Sequence, residues 1–314
     1  MSISSPASPG CSPAGAPGAA PAWRGSARLR FATNAAGITT HQGATSSPLK
    51  LLRAVHHGDG RCELPLLHTA GGLVGGDQLD LHLALEPGSR ALLTSVAAQK
   101  VYGTVGRSRR VPEGSWAVQE LQVRVAEGAD LEWLPQELVL YADGLFAQHA
   151  RVELAPRASY LGAEVVRLGR SAAAETLQAG RWRSLLEIRR QLPQGPRWEL
   201  VDRLELGGEA LQSPHGMAGE PVFGSLVWAA PEPLDGAALS TLLACCRGAR
   251  QGLEGEMACG ALEQGLVARY RGRSSQAARY WFTRLWALIR QRRGLAPPVV
   301  PRVWPFQEQP FAAG

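Results

Sequence analysis

The chain has 314 residues, 45% of them hydrophobic and 19% charged, with a formal net charge of +6 and a pI near 9.4. That is enough for a sizeable core in one large domain or two small ones. No run approaches the length of apolar chain that a transmembrane helix needs, so no membrane association is expected. All but two of the 33 basic residues are arginine, the exceptions being Lys50 and Lys100, and the densest groups are only Arg107–Arg110 (RSRR) and Arg290–Arg293 (RQRR). Without a long basic run interleaved with aromatics, this charge reads as a solvated or acidic-partner-facing surface, not as a nucleic-acid interface.

Residues 1–22 are almost entirely Ser, Pro, Ala and Gly. With no apolar h-region, the stretch reads as a disordered tail and not as a signal peptide. The five cysteines (Cys11, Cys62, Cys245, Cys246, Cys259) are odd in number, irregularly spaced and free of any CxxC. That pattern suits a reduced protein of the cytoplasm better than a disulfide framework.

From Trp23 onward strand signals dominate. Residues 27–31 (ARLRF), 79–85 (LDLHLAL) and 151–155 (RVELA) alternate with period two. Residues 116–125 (WAVQELQVRV) alternate too, but the apolar phase slips near Gln119, which predicts a β-bulge. Further strands are expected at 160–168, 182–192, 198–206, 223–229 and 265–271. Two segments read as helices. Residues 234–250 carry Leu239, Leu242, Leu243 and Cys246 on one face, which makes Cys246 a core cysteine. Residues 275–293 place Trp281, Leu285 and Leu288 in one stripe with Phe282, Trp286 and Ile289 beside it. Ser274 or Ser275 can cap that helix, arginines suit its C-terminal end, and Gly294 stops it. The expected fold class is mainly β, with stacked or helically wound sheets and a few helices including a C-terminal one.

The densest local signal is residues 66–85, LLHTAGGLVGGDQLDLHLAL, where Gly71, Gly72, Gly75 and Gly76 precede Asp77. A P-loop needs Gly-Lys-Ser/Thr, and neither lysine stands in that context. A Rossmann loop needs GxGxxG leading into a helix, whereas a strand follows here. Phosphate binding is therefore set aside. Glycine pairs between strands permit a tight connection, and Asp77 either satisfies its turn amides or lines a polar passage. Lys100 stands on an otherwise apolar stretch, as a lysine answering a carboxylate would, and Asp77 is its candidate partner. No Gly-x-Ser-x-Gly elbow and no His-Glu-x-x-His occurs. Residues 56–68 hold His56, His57, Cys62 and His68, but their spacing matches no standard metal site, so a Gly-rich loop with surface histidines is expected there.

Eight segments in one consistent order carry a resemblance. HTAGGLVGGDQLDL, LLTSVAAQKVYG, LEWLPQELVLYADGLF (131–146) and GRSAAAETLQAGRWRSLLEI (169–188) resemble, in this order, the signatures of the urease accessory protein UreD family, called UreH in some bacteria. SSPLKLLRA (46–54), LVARYRG (266–272), LWALIR (285–290) and PRVWPF (301–306) extend the similarity over about 25–306. The resemblance implies a single β-rich domain over 23–306, followed by a C-terminal tail at 307–314. It implies a protein that is not an enzyme, and that binds apo-urease subunits and recruits UreF and the GTPase UreG. Ni²⁺ would then pass transiently through an internal channel to the urease active site, with no cofactor tightly bound. A conduit must release its cargo, and carboxylates and waters hold Ni²⁺ less strongly than clustered imidazole or thiolate. On the family's motifs the implied nickel path comprises Asp77, Glu137 and Glu175, with Lys100 as charge partner. Two departures stand out: Gly103 where the family has arginine, and Ala174 where it often has glycine; Asp143 matches a looser version of its motif. Two other readings are a β-rich enzyme acting on a small acidic molecule, with Asp77 and Glu175 as acid and base, and a nickel-storage protein, against which the sparse His and Cys argue.

Overall fold

Alternation in the sequence becomes alternation between two sheets. A computed structural model describes residues 22–304 and residue 310. Its strands are β1 (Arg24–Thr33), β2 (Thr39–Thr45), β3 (Leu49–Leu51), β4 (Val55–His56), β5 (Cys62–His68), β6 (Gln78–Leu85), β7 (Arg90–Ser95), β8 (Gln99–Val101) and β9 (Ala117–Val125). They continue as β10 (Asp130–Trp133), β11 (Leu138–Leu140), β12 (Leu145–Leu154), β13 (Ser159–Leu168), β14 (Arg181–Leu192), β15 (Gly195–Leu206), β16 (Val222–Ala229), β17 (Glu256–Leu262) and β18 (Gly265–Gly272). Helix α1 (Gly236–Gly248) precedes β17, and α2 (Ser275–Arg292) follows β18. The tails expected at 1–22 and 307–314, and with them Cys11, Pro305 and Phe306, lie outside the described residues except for Ala22 and Pro310.

The first sheet has the order β15-β14-β12-β9-β6-β1-β2, the second β17-β18-β16-β13-β10-β7-β5-β3. From β5 to β14 the chain crosses from one to the other and back, so that β6, β9, β12 and β14 are parallel neighbours in one, and β5, β7, β10 and β13 in the other. This is a helically wound pair of stacked sheets, mainly β as expected. Strand β6 shows why it coils: Leu79, Leu81, Leu83 and Leu85 all turn inward and are buried, while the residues between them face out. Strand β16 is buried along its whole length, because its sheet is covered on the second face by α2. Trp228, Trp281, Leu285 and Trp286 form that outer core.

Both helices begin at side-chain caps. Asp235 accepts from Ala238 N at 2.7 Å and Ser274 from Ala277 N at 3.0 Å. Gly294, at φ +66°, ends α2. Among the described residues no helix is long and apolar enough to cross a membrane.

Two sequence expectations are corrected. The bulge near Gln119 does not occur: β9 pairs with β6 and β12 in unbroken register, and Gln119 is a polar residue on the inward face in phase with Leu121. Residues 62–68 are not loop but the strand β5, held between β7 and β3. Its Pro65 and neighbouring glycines masked the pattern.

Candidate functional site between the sheets

The apolar interior is interrupted by one polar row. On the first sheet Gln119, Gln148 and Ser184 are cross-strand partners through β9, β12 and β14. On the second, Glu164, Ser225 and Arg269 are partners through β13, β16 and β18. Between the sheets lies a cavity of about 140 Å³, bordered by Gln119, Gln148, Ser184, Glu164 and Ser225 as well as by leucines. Its size and polarity suit several water molecules. Gln148 Nε2 donates to the Glu164 carboxylate and, at 3.1 Å, to Ser184 Oγ. Arg269 donates to Ser225 Oγ and to Asp202.

Burial pushes the Glu164 carboxyl up to about 7, outweighing the Gln148 hydrogen bond and the Arg269 charge that favour ionisation; Asp202 adds to the rise. Elsewhere on the wall, His68 has neither ring nitrogen hydrogen-bonded, and burial lowers its pKa despite the opposing pull of Asp77. Gln136 is 4% exposed and neither amide atom finds a partner. Unpaired polar atoms beside a cavity are what a buried solvent molecule or ion satisfies. Sequence reasoning missed Glu164, Gln148 and Ser184. The one available signal was the polar residue Gln119 in the apolar phase of β9.

The residues singled out from the sequence occupy other places. Asp77 is 4% exposed, with Oδ1 accepting from Trp23 N and Oδ2 from Val74 N, each at 2.9 Å. It locks the turn that the glycines build. Gly72 is required there because a Cβ would stand 2.8 Å from the Lys100 carbonyl oxygen, which accepts from Leu73 N. The Lys100 side chain is exposed and, among the described residues, makes no ion pair with Asp77. The Glu137 carboxylate lies 3.5 Å from the Arg279 guanidinium, on the side of the second sheet that faces α2.

Glu175 is held by Arg170, with Nε donating to Oε2 at 2.8 Å, and that hydrogen bond keeps its carboxyl below the usual range. Arg170 stacks on Tyr141 at 4.3 Å. Neither Asp77 nor Glu175 lines the inter-sheet cavity. The two departures from the family pattern have local accounts. The Asp143 carboxylate sits over the α-carbon of Gly103, where a Cβ would fall 1.5 Å from Oδ1, and Arg107 Nε donates to it at 2.7 Å. Ala174 adopts φ +54°, the left-handed region that glycine occupies without cost.

The histidines expected at the surface are only partly so. His57 is half-buried and lies 2.9 Å from Glu63, His68 borders the cavity, and only His56 is exposed. Burial pushes the Cys62 thiol up to about 11. Among the described residues no group of three or more His, Cys, Asp or Glu side chains is placed to hold a metal ion. Cys246 is buried on α1, as expected, and its thiol is pushed up to about 12.

The wound β scaffold thus encloses a largely apolar cavity that amides, hydroxyls, two histidines and one carboxyl also border. Comparison with known proteins then identifies the chain's family. The family model described as UreD urease accessory protein matches residues 24–305. The chain is 62% identical over 289 residues to the urease accessory protein UreD of Parasynechococcus marenigrum (strain WH8102), covering 92% of this chain and 93% of that one. It is 60% identical over 296 residues to that of Synechococcus sp. (strain WH7805), with 92% and 93% covered. It is 58% identical over 293 residues to that of Prochlorococcus marinus (strain MIT 9303), with 91% and 98% covered. The chain belongs to the UreD urease accessory protein family, a family of accessory proteins and not of enzymes. The reading as a β-rich enzyme acting on a small acidic molecule is thereby withdrawn.

Proposed function

We propose that this protein matures urease by binding. In the cytoplasm it holds the urease apoprotein and recruits UreF and UreG, and nickel travels through the cavity between its sheets toward the urease active site. The observation that carries the reading is Glu164: the one carboxyl among the residues that border the cavity between the two sheets, hydrogen-bonded there by Gln148. A carboxyl that titrates near neutral pH binds a hydrated cation when charged and lets it go when protonated. Amides and hydroxyls beside it hydrogen-bond the waters of the cation without trapping the metal, because they are poor competitors for a late divalent ion. Nickel is cargo in this account, and no tightly bound cofactor is invoked.

Asp77, Glu137 and Glu175 belong to the same reading as stations before or after the cavity, with Lys100 as a charge near Asp77's turn. The test is urease activation in cells lacking only this gene, with nickel supplied. Urease protein should accumulate nickel-poor, and complementation should restore activity. Substituting both Asp77 and Glu175 by Ala should lower urease nickel content; unchanged content would remove these two from the path.

A further inference from the structure

At one end of each sheet lies a long strand with a free edge, β15 in the first and β17 in the second, and the two edges are built differently. Strand β15 carries Pro196, a register shift against β14 and the charged residues Arg197, Glu199, Asp202, Arg203 and Glu205. Such features keep a further strand from adding to an edge. Strand β17 has none of them from Met257 onward. Residues 257–262 (Met-Ala-Cys-Gly-Ala-Leu) hold no charge and no proline, and the whole strand pairs with β18 in unbroken register. Among the described residues no strand pairs with its other edge.

Two arginines at the C-terminal end of α1 cover that edge. Arg250 Nη1 donates to Met257 O at 3.2 Å, and Arg247 Nη2 donates to Cys259 O at 3.3 Å. A strand residue turns its N–H and C=O to the same side, so the amides of Met257, Cys259 and, in the same phase, Ala261 also point to the free edge. Both arginines are exposed, and among the described residues neither has a carboxylate partner. They reach the edge from the face of β17 on which α1 packs with Met257 and Cys259. On the opposite face Ala258 is exposed and borders an open groove of about 750 Å³, together with Met217, Phe223 and Leu253.

We propose that the free edge of β17 is a docking site for an extended segment of a partner protein, added to the sheet as a further strand and alternating acidic with apolar side chains. Its carbonyls accept from the edge amides of Met257, Cys259 and Ala261. Successive side chains of a strand fall on opposite faces, so one set meets Arg247 and Arg250 and the other meets Ala258 and the groove. The first set is acidic because carboxylates draw the two guanidiniums off the Met257 and Cys259 carbonyls, which frees those acceptors for the partner's amides. In strand addition the main chain supplies affinity and the alternate side chains supply specificity. Neither arginine, nor any residue of β17, borders the cavity between the sheets, so the docking site stands apart from nickel passage.

The probe is a short fluorescein-labelled peptide alternating glutamate with valine, titrated with the full-length chain and read by fluorescence anisotropy. A peptide with lysine in place of glutamate is the control. The glutamate peptide should bind, and the lysine peptide should bind several-fold more weakly. Arg247→Glu combined with Arg250→Glu should weaken the glutamate peptide several-fold. Ala261→Pro removes one edge amide without touching the ladder to β18 and should weaken it as well. Thermal melting checks folding, and Ala261→Asp, which repels an acidic neighbour, serves if the proline is not accommodated. No binding of the glutamate peptide, equal binding of the two peptides, or binding indifferent to these substitutions overturns the proposal. A dimer in sedimentation velocity that the Ala261 substitution dissolves gives the edge to a second copy of this chain and overturns the assigned partner.

Discussion

At Ala174 the chain holds an L-residue in the left-handed region, where the methyl group crowds the following carbonyl at a cost of about 1 kcal/mol. Ala174→Gly is therefore expected to raise stability by roughly 0.5–1 kcal/mol after glycine's extra unfolded-state freedom is subtracted, read as a higher melting temperature. Glu164 imposes a pH dependence of definite sign. Its carboxyl titrates near 4.5 in the unfolded chain and at about 7 in the folded one. Between those values the folded state binds more protons, so stability falls as pH rises through that window and stays low above it. Water in the cavity screens part of the burial cost. Glu164→Gln is then expected to stabilise the protein at pH 8 by about 2 kcal/mol and to flatten the melting-temperature profile from pH 5 to pH 8. At Gly103 any side chain displaces the Asp143 carboxylate and with it the Arg107 pair. An arginine placed there would meet a position that the Asp143 carboxylate already occupies.

At the scale of elements, α2 is fastened to the second sheet by buried charge as well as by tryptophans. Glu132, 1% exposed, accepts from Trp286 Nε1 at 2.7 Å and Arg290 at 2.8 Å and also pairs with Arg61. Arg290 reaches on to Asp59 at 2.6 Å, and Arg293 pairs with Asp130 at 2.8 Å. Removing Glu132 leaves Arg61 without its paired carboxylate and Arg290 with Asp59 alone, so Glu132→Leu is expected to cost about 3–5 kcal/mol in denaturant unfolding. Ser274→Ala, which removes only the cap of α2, is expected to cost about 1 kcal/mol in the same measurement. The helix itself was legible in the sequence, because an apolar stripe, a capping serine and a terminal glycine all agree over eighteen residues. Strand β6 was legible for the same reason, with four leucines in strict alternation. Strands such as β3, β8, β10 and β11 are three or four residues long, and their sequence carries too few positions to show a period. They exist because the coil presents a neighbour to pair with. The network around Glu132 was invisible for the same reason: its members lie up to 231 residues apart.

For the whole molecule, the functional reading depends on what the coil brings together. Gln119, Gln148, Ser184 and Glu164 stand on four strands, and only the parallel stacking of successive turns aligns them. Asp77 was legible as a turn carboxylate because its glycines are local. Glu164 was not, because Ser159–Leu168 is buried on both faces and offers no phase against which one acidic residue stands out. Gln119 did break its phase, yet a polar inward residue and a bulge leave the same trace in one strand. The family signature identified the role where geometry could not be read, while geometry shows where a charge lies inside. The central claim is that this interior carboxyl serves nickel passage. It is tested most directly by measuring nickel per urease active site in cells whose only copy of this protein carries Glu164→Gln, at matched abundance. The account predicts urease of normal amount with several-fold less nickel; urease filled as in the wild type would contradict it.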